Sequence, residues 1–188
     1  MSLAHRTAWI TPQEYLELEG RSDVRHEYFA GEMFAMAGAS AAHNFIARNI
    51  FAALHAHLAG KRCAPFMNDM RTHVARDDDE RYYYPDVMVN CDSAGLHTYF
   101  CETPAVIFEV LSPETQSLDR REKRLAYQSL PSLPTYILVA QDRREVTIYR
   151  RTPEGWTRDI LTAPEAIVAL PELDFSLPFA SIYARVAV

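Results

Sequence analysis

Two carboxylates in this sequence stand where carboxylates are costly. Asp86 opens the apolar end of Tyr82-Tyr83-Tyr84-Pro85-Asp86-Val87-Met88-Val89, and Glu109 lies inside Ala105-Val106-Ile107-Phe108-Glu109-Val110-Leu111. An ionised carboxylate in an apolar interior is strongly disfavoured unless it is paired. A cationic partner, a raised pKa or a metal ion would each relieve it. The two residues are 23 positions apart, room for a loop and a return strand, so both can reach one end of neighbouring strands. Two carboxylates brought together repel, and a divalent cation removes that repulsion directly. Taken singly, Glu109 also fits a buried pair with an arginine, and Asp86 a turn position after proline. Lysine usage is a further clue: Lys61 and Lys123 are the only lysines among 19 basic residues. An ammonium kept at 123 suits contact with a water or a phosphate oxygen, because lysine is a compact point charge. The plainer alternative is a solvated helix face.

The elements that must position these groups follow from local patterns. Thr11-Pro12-Gln13-Glu14 reads as a capped helix start that stops near Gly20. Apolar-aromatic runs on either side of Gly31 read as a β-hairpin, His26 to Phe29 and then Met33 to Met36. Ser40 can cap a helix to about Leu58, with Phe45, Ile46, Ile50, Leu54 and Leu58 on one stripe and Gly60 as the stop. Strands are expected over Cys63–Met67, Met70–Ala75 and Tyr82–Asn90, with Asp77 to Glu80 as a solvated turn. Ala105 to Leu111 reads as a buried central strand. Ser117 can cap a helix from about Leu118 to Ser129. The stretches Tyr136–Ala140, Glu145–Arg150 and Trp156–Leu161 read as further strands, and Pro178 to Arg185 as a closing helix. No repeat or linker divides the chain, so residues 1–188 read as one mixed-sheet domain flanked by helices, in the α/β (α+β) class.

Composition narrows the function. Of 188 residues, 48% are hydrophobic and 23% charged, near the average for a globular chain. A net charge of −6 argues against coating nucleic acid by basicity alone, though an acidic site filled with metal would attract phosphate. Cys63, Cys91 and Cys101 are scattered, without a C-x-x-C pair, and are expected as reduced thiols in a cytoplasm. No secretion signal and no membrane-spanning run is apparent, which makes a cytoplasmic protein the expectation. Ser112 lacks a nucleophile elbow, and neither a phosphate-binding loop nor a dinucleotide fingerprint occurs. His55 and His57 do not share a helix face and are not a metal pair.

The residues around these carboxylates carry a recognisable pattern. Pro85-Asp86-Val87, then Phe108-Glu109-Val110-Leu111-Ser112-Pro113-Glu114-Thr115, then Asp119, Lys123, Tyr127 and Tyr136-Ile137-Leu138-Val139 resemble the Uma2 family of restriction-endonuclease-like proteins. Tyr15-Leu16, the Glu27–Gly31 hairpin and His43 are similar too. The resemblance implies a restriction-endonuclease-like fold of the PD-(D/E)xK nuclease superfamily, with a mixed β-sheet core and a metal-dependent site at one sheet edge. It gives Asp86 and Glu109 as the acidic pair. The superfamily's basic residue would share a strand face with Glu109, at Leu111, where leucine cannot serve; Lys123 is the substitute. Thr135 stands where the family often has an acidic residue.

The resemblance thus implies catalytic Asp86, Glu109 and Lys123, and Mg²⁺ or Mn²⁺ held by Asp86, Glu109, the Val110 carbonyl and Glu27. His43, Asp69, Arg71, Asp119 and Tyr127 are candidates for the surrounding cleft. Arg120, Arg121 and Arg124 could meet flanking phosphates, and Tyr82, Tyr83 and Tyr84 could stack on bases, although strand packing explains the tyrosines more simply. The expected partner is nucleic acid, with DNA first, and a homodimer is expected on general grounds. The expected activity is phosphodiester hydrolysis. The alternatives are a catalytically inactive module of the same fold that binds nucleic acid or protein, and a self-associating structural protein.

Overall fold

The computed structural model describes residues 9–36, 38–76, 79–112 and 119–188. Helix α1 (Pro12–Glu19) begins with the full capping box, Thr11 and Glu14 exchanging side-chain and backbone hydrogen bonds. Strands β1 (His26–Phe29) and β2 (Glu32–Ala35) form the expected hairpin. Its two central residues, Ala30 and Gly31, both have positive φ, as a two-residue hairpin turn requires. Helix α2 (Ala41–Leu58) starts at Ser40, whose Oγ accepts the His43 N–H.

Strands β3 (Ala64–Met67), β4 (Arg71–Arg76), β5 (Asp79–Tyr83), β6 (Val87–Asn90), β7 (Phe100–Cys101) and β8 (Pro104–Leu111) follow. The single strand expected over Tyr82–Asn90 is in fact two. Pro85 has no N–H to give a ladder, so pairing stops at Tyr84–Asp86 and the chain crosses from one sheet to another. Asp79 and Glu80, expected in a solvated turn, belong to β5; Asp77 and Asp78 lie outside the described residues.

A π-helical turn (Asp119–Lys123) leads into α3 (Arg124–Ser129). The expected helix cap, Ser117, and Leu118 lie outside the described residues. Strands β9 (Thr135–Ala140), β10 (Val146–Thr152) and β11 (Gly155–Leu161) complete the main sheet. A hairpin of β12 (Ile167–Leu170) and β13 (Phe175–Pro178) was not expected, and the closing helix is only Phe179–Ile182.

The mixed α/β architecture holds two larger sheets, not one. Their orders are β11-β10-β9-β8-β6-β3 and β2-β1-β5-β4-β7. In the first, β8 and β9 are parallel while the other pairs are antiparallel. A parallel pair needs a crossover, and here the crossover brings the turn carrying Lys123 back over the sheet. On one face, Val106, Phe108 and Val110 pack with Ile46, Ile50 and Leu54 of α2. On the other, Ile107 and Leu111 pack with Tyr83, Tyr127 and Tyr136.

Cys63 and Cys91 are joined by a disulfide, which corrects the expectation of three reduced thiols. The reason is register: Ala64 pairs with Asn90, so the next position outward sets the two cysteines side by side. Cys101 remains a buried thiol, and burial pushes its pKa up. No helix among the described residues is long and apolar enough to cross a membrane.

Candidate active site

Antiparallel pairing of β6 and β8 brings the two carboxylate-bearing positions side by side. Val87 pairs with Phe108, so one step further along the register Asp86 faces Glu109. Where β6 has ended, the Asp86 side chain serves as acceptor for the neighbouring strand: the Val110 N–H donates to its Oδ2 at 2.7 Å. From the first turn of α2, His43 Nε2 lies 3.3 Å from the same oxygen. That turn is braced from the sheet, since the capping Ser40 also donates to the Gln141 side chain just beyond β9.

Glu109 is 2% exposed. Strand alternation turns it away from Phe108 and Val110 and toward the tyrosine-lined face. There the Tyr127 hydroxyl donates to Glu109 Oε1 at 3.0 Å. Lys123 Nζ stands 3.5 Å from that oxygen and 2.7 Å from Glu27 Oε1. The Tyr84 N–H donates to the same Glu27 oxygen at 3.2 Å. Burial, and next the Glu109 charge, hold the Tyr127 hydroxyl well above its ordinary pKa, so it stays a proton donor to the carboxylate. Leu111, the position where a basic residue was sought, is buried in the apolar cluster, and the ammonium arrives from the crossover instead.

The lysine-bearing turn is fastened on a second side. Glu122, its neighbour, pairs with Arg81 of β5, whose guanidinium also grips Asp79. Lys123 is 4% exposed and its ammonium lies 5.8 Å above the Tyr83 ring. A cation so enclosed keeps its charge only through close anions, and Glu27 and Glu109 supply them.

Other expected cleft residues lie elsewhere. Asp69 is 76% exposed and pairs with Arg25. Arg71 is buried among the rings of Tyr15, Tyr82 and Tyr84, with its Nε donating to the Tyr99 carbonyl. Neither makes a hydrogen bond or ion pair with Asp86, Glu109, Glu27 or Lys123. The Asp119 and Arg120 side chains lie outside the described residues. Arg124 sits over the Tyr149 ring. Tyr82, Tyr83 and Tyr84 are buried, so packing and not base stacking accounts for them. Sequence reasoning missed three supports: Gln141 behind Ser40, the Tyr84 N–H on Glu27, and the Arg81–Glu122 pair. The Ser40 cap was a visible signal for the first; the others come from residues far apart in the chain.

The donor set suits a hard cation. Asp86 and Glu109 offer oxygen only, and the Lys123 ammonium is shared by two carboxylates, Glu27 and Glu109. Among the described residues no group of three or more His, Cys, Asp or Glu side chains is drawn together to cage an ion. Carboxylate oxygens are donors of the kind that suit Mg²⁺ or Mn²⁺, whereas zinc more often takes nitrogen or sulfur.

The Uma2 family model, described as "Putative restriction endonuclease", matches residues 12–180. Two uncharacterized proteins of Synechocystis sp. (strain ATCC 27184 / PCC 6803 / Kazusa) are similar. The first, slr1290, is 34% identical over 147 residues, 78% of this chain and 76% of its own length. The second, sll1609, is 32% identical over 154 residues, 80% of this chain and 86% of its own length. A crystal structure from Anabaena variabilis ATCC 29413, described as a putative nuclease belonging to DUF820, superposes with a TM-score of 0.77. It is 18% identical, and the match covers 95% of this chain and 99% of that one, a likeness of fold.

Proposed function

Because this chain belongs to the Uma2 family, we propose that it is a metal-dependent nuclease that hydrolyses phosphodiester bonds in nucleic acid. The observation that supports this reading is the register that sets the Asp86 position opposite Glu109 at the ends of β6 and β8, with the Lys123 ammonium 3.5 Å from Glu109.

Asp86, Glu109 and the Val110 carbonyl are the groups that would hold Mg²⁺ or Mn²⁺. When bound, such an ion acidifies a water and neutralises charge on the phosphate. Lys123 orients the attacking water or steadies negative charge on the phosphoryl oxygens. Tyr127 fixes one oxygen of Glu109, which sets the direction of the carboxylate. Glu27, 6% exposed, keeps the ammonium charged and aimed, and can complete the ion's oxygen shell through its second oxygen. Arg121, at the exposed side of the same turn, is placed for a flanking phosphate.

A second reading, a nuclease-fold module that binds nucleic acid without cutting it, is favoured by one observation: Lys123 is almost wholly enclosed and already paired with Glu27. One experiment separates the two. Purified protein is incubated with single- and double-stranded DNA and RNA in Mg²⁺, beside Lys123→Ala, Asp86→Asn and Glu109→Gln. Cleavage by the parent, lost in all three variants, supports the enzyme. Binding of nucleic acid in Ca²⁺ without cleavage in Mg²⁺ selects the module, and cleavage undiminished in Lys123→Ala removes the lysine from the mechanism.

A further inference from the structure

The two groups that approach Asp86 meet the same oxygen. Val110 N–H is 2.7 Å from Oδ2 and His43 Nε2 is 3.3 Å from it. Oδ1 takes no hydrogen bond among the described residues. The Asp86 side chain is 14% exposed, so water has little room to orient the carboxylate. Its direction is therefore set by the Val110 hydrogen bond and the His43 contact.

The backbone from which the His43 ring reaches is itself braced from the sheet. Gln141, just past the end of β9, holds the Ser40 hydroxyl; Ser40 receives the His43 backbone N–H; His43 meets Asp86; and Asp86 is tied to Val110 of β8. Since β8 and β9 are adjacent parallel strands, this path closes on itself. A closed path holds the first turn of α2 in place against β8 and β9, so the ring reaches Asp86 from a fixed backbone; its side chain is 14% exposed.

We propose that His43 is a positioning residue: with the Val110 N–H it holds Oδ2 of Asp86, so that Oδ1 alone is offered to the divalent cation. The inference rests on the nuclease reading above and assigns a task that reading leaves open. Groups that orient a metal-binding carboxylate by hydrogen bonding typically change affinity by about 10- to 100-fold when removed. The expected loss is at the lower end, because Val110 still holds the same oxygen.

The test is a calorimetric Mn²⁺ titration of the full chain, without nucleic acid, on the parent, Asp86→Asn, His43→Leu and His43→Gln, with a thermal melt of each. Leucine fills the space and favours helix but has no donor; the glutamine amide can donate to Oδ2. The expected result is abolished binding in Asp86→Asn, about tenfold weaker binding in His43→Leu, and recovery of most of that loss in His43→Gln. Packing alone would move the melting temperature without rescue by glutamine. Should His43→Leu fail to fold, His43→Ala takes its place against His43→Gln. Binding lost in Asp86→Asn but unchanged in His43→Leu overturns this proposal and spares the nuclease reading. Equal loss in the leucine and glutamine variants overturns it too, by making His43 a ligand or a packing group. A parent that binds no Mn²⁺, or an Asp86→Asn protein that binds as the parent does, overturns the nuclease reading and this inference with it.

Discussion

On one face of the six-stranded sheet, Val106, Phe108 and Val110 of β8 meet Ile46, Ile50 and Leu54 of α2. On the other, Ile107, Glu109 and Leu111 of the same strand meet Tyr83, Tyr127 and Tyr136. The first face gains its stability from area removed from water and from close packing. The second buries tyrosine rings, and the Tyr127 hydroxyl reaches the Glu109 carboxylate. The comparison teaches how charge can be enclosed here. Glu109, Glu27 and Lys123 are tolerated where donors and anions surround them, and a leucine or valine wall would offer none.

The largest expected effect comes from alkali acting on the buried tyrosines. Burial raises the phenol pKa of Tyr82 and Tyr183 to about 12, and holds Tyr15, Tyr83 and Tyr127 higher still. A group whose folded pKa lies above its unfolded value stabilises fully below the unfolded value, 10.0 for tyrosine, and loses that contribution as pH rises toward the folded value. Each of Tyr15, Tyr83 and Tyr127 should lose about 1.4 kcal/mol per pH unit above that point. Together they cost about 4 kcal/mol near pH ~11, read as a fall in the urea midpoint from its value near pH ~9. An unchanged midpoint would mean that the tyrosine-lined regions are not sealed from water.

Next comes Lys123→Met, which leaves Glu27 and Glu109 enclosed without a cation and should destabilise by about 3 kcal/mol. Adding Glu27→Gln should restore part of that loss, measured by denaturant titration of the single and double variants. A cavity variant of the aliphatic face, Phe108→Ala, costs about 3–5 kcal/mol by a different route and gains nothing from Glu27→Gln. Recovery in that background would break the comparison. The smallest effect belongs to Tyr127→Phe, which keeps the ring and removes the hydroxyl from Glu109; about 1–2 kcal/mol should be lost in a thermal or chemical melt.

Much of this arrangement was readable in advance, and the division has physical causes. The apolar run around Glu109 could only be an enclosed strand, and the spacing to Asp86 allowed a neighbouring one. The rarity of lysine drew attention to 123. The Thr11–Glu14 box and the Gly31 turn are local signals, decided within a few residues. What escaped depended on distant partners. The break at Tyr84–Asp86 reflects pairing of β5 and β6 with different sheets, which a run of apolar residues does not announce. Arg71 looked like a cleft cation, yet its place among three tyrosine rings is set by α1 and β5. The β12–β13 hairpin and the pairing of Cys63 with Cys91 likewise follow from tertiary register.

The disulfide makes the two margins of the main sheet unequal. At β3 a covalent staple holds the outermost strand to its neighbour, so that border cannot peel away while the sulfurs stay oxidised. At β11 no such link exists among the described residues, and the border strand rests on its ladder with β10 and on the packing of Trp156 and Leu161. Arg158 and Asp159 project from that unguarded rim, and such charges discourage a foreign strand from annealing to it.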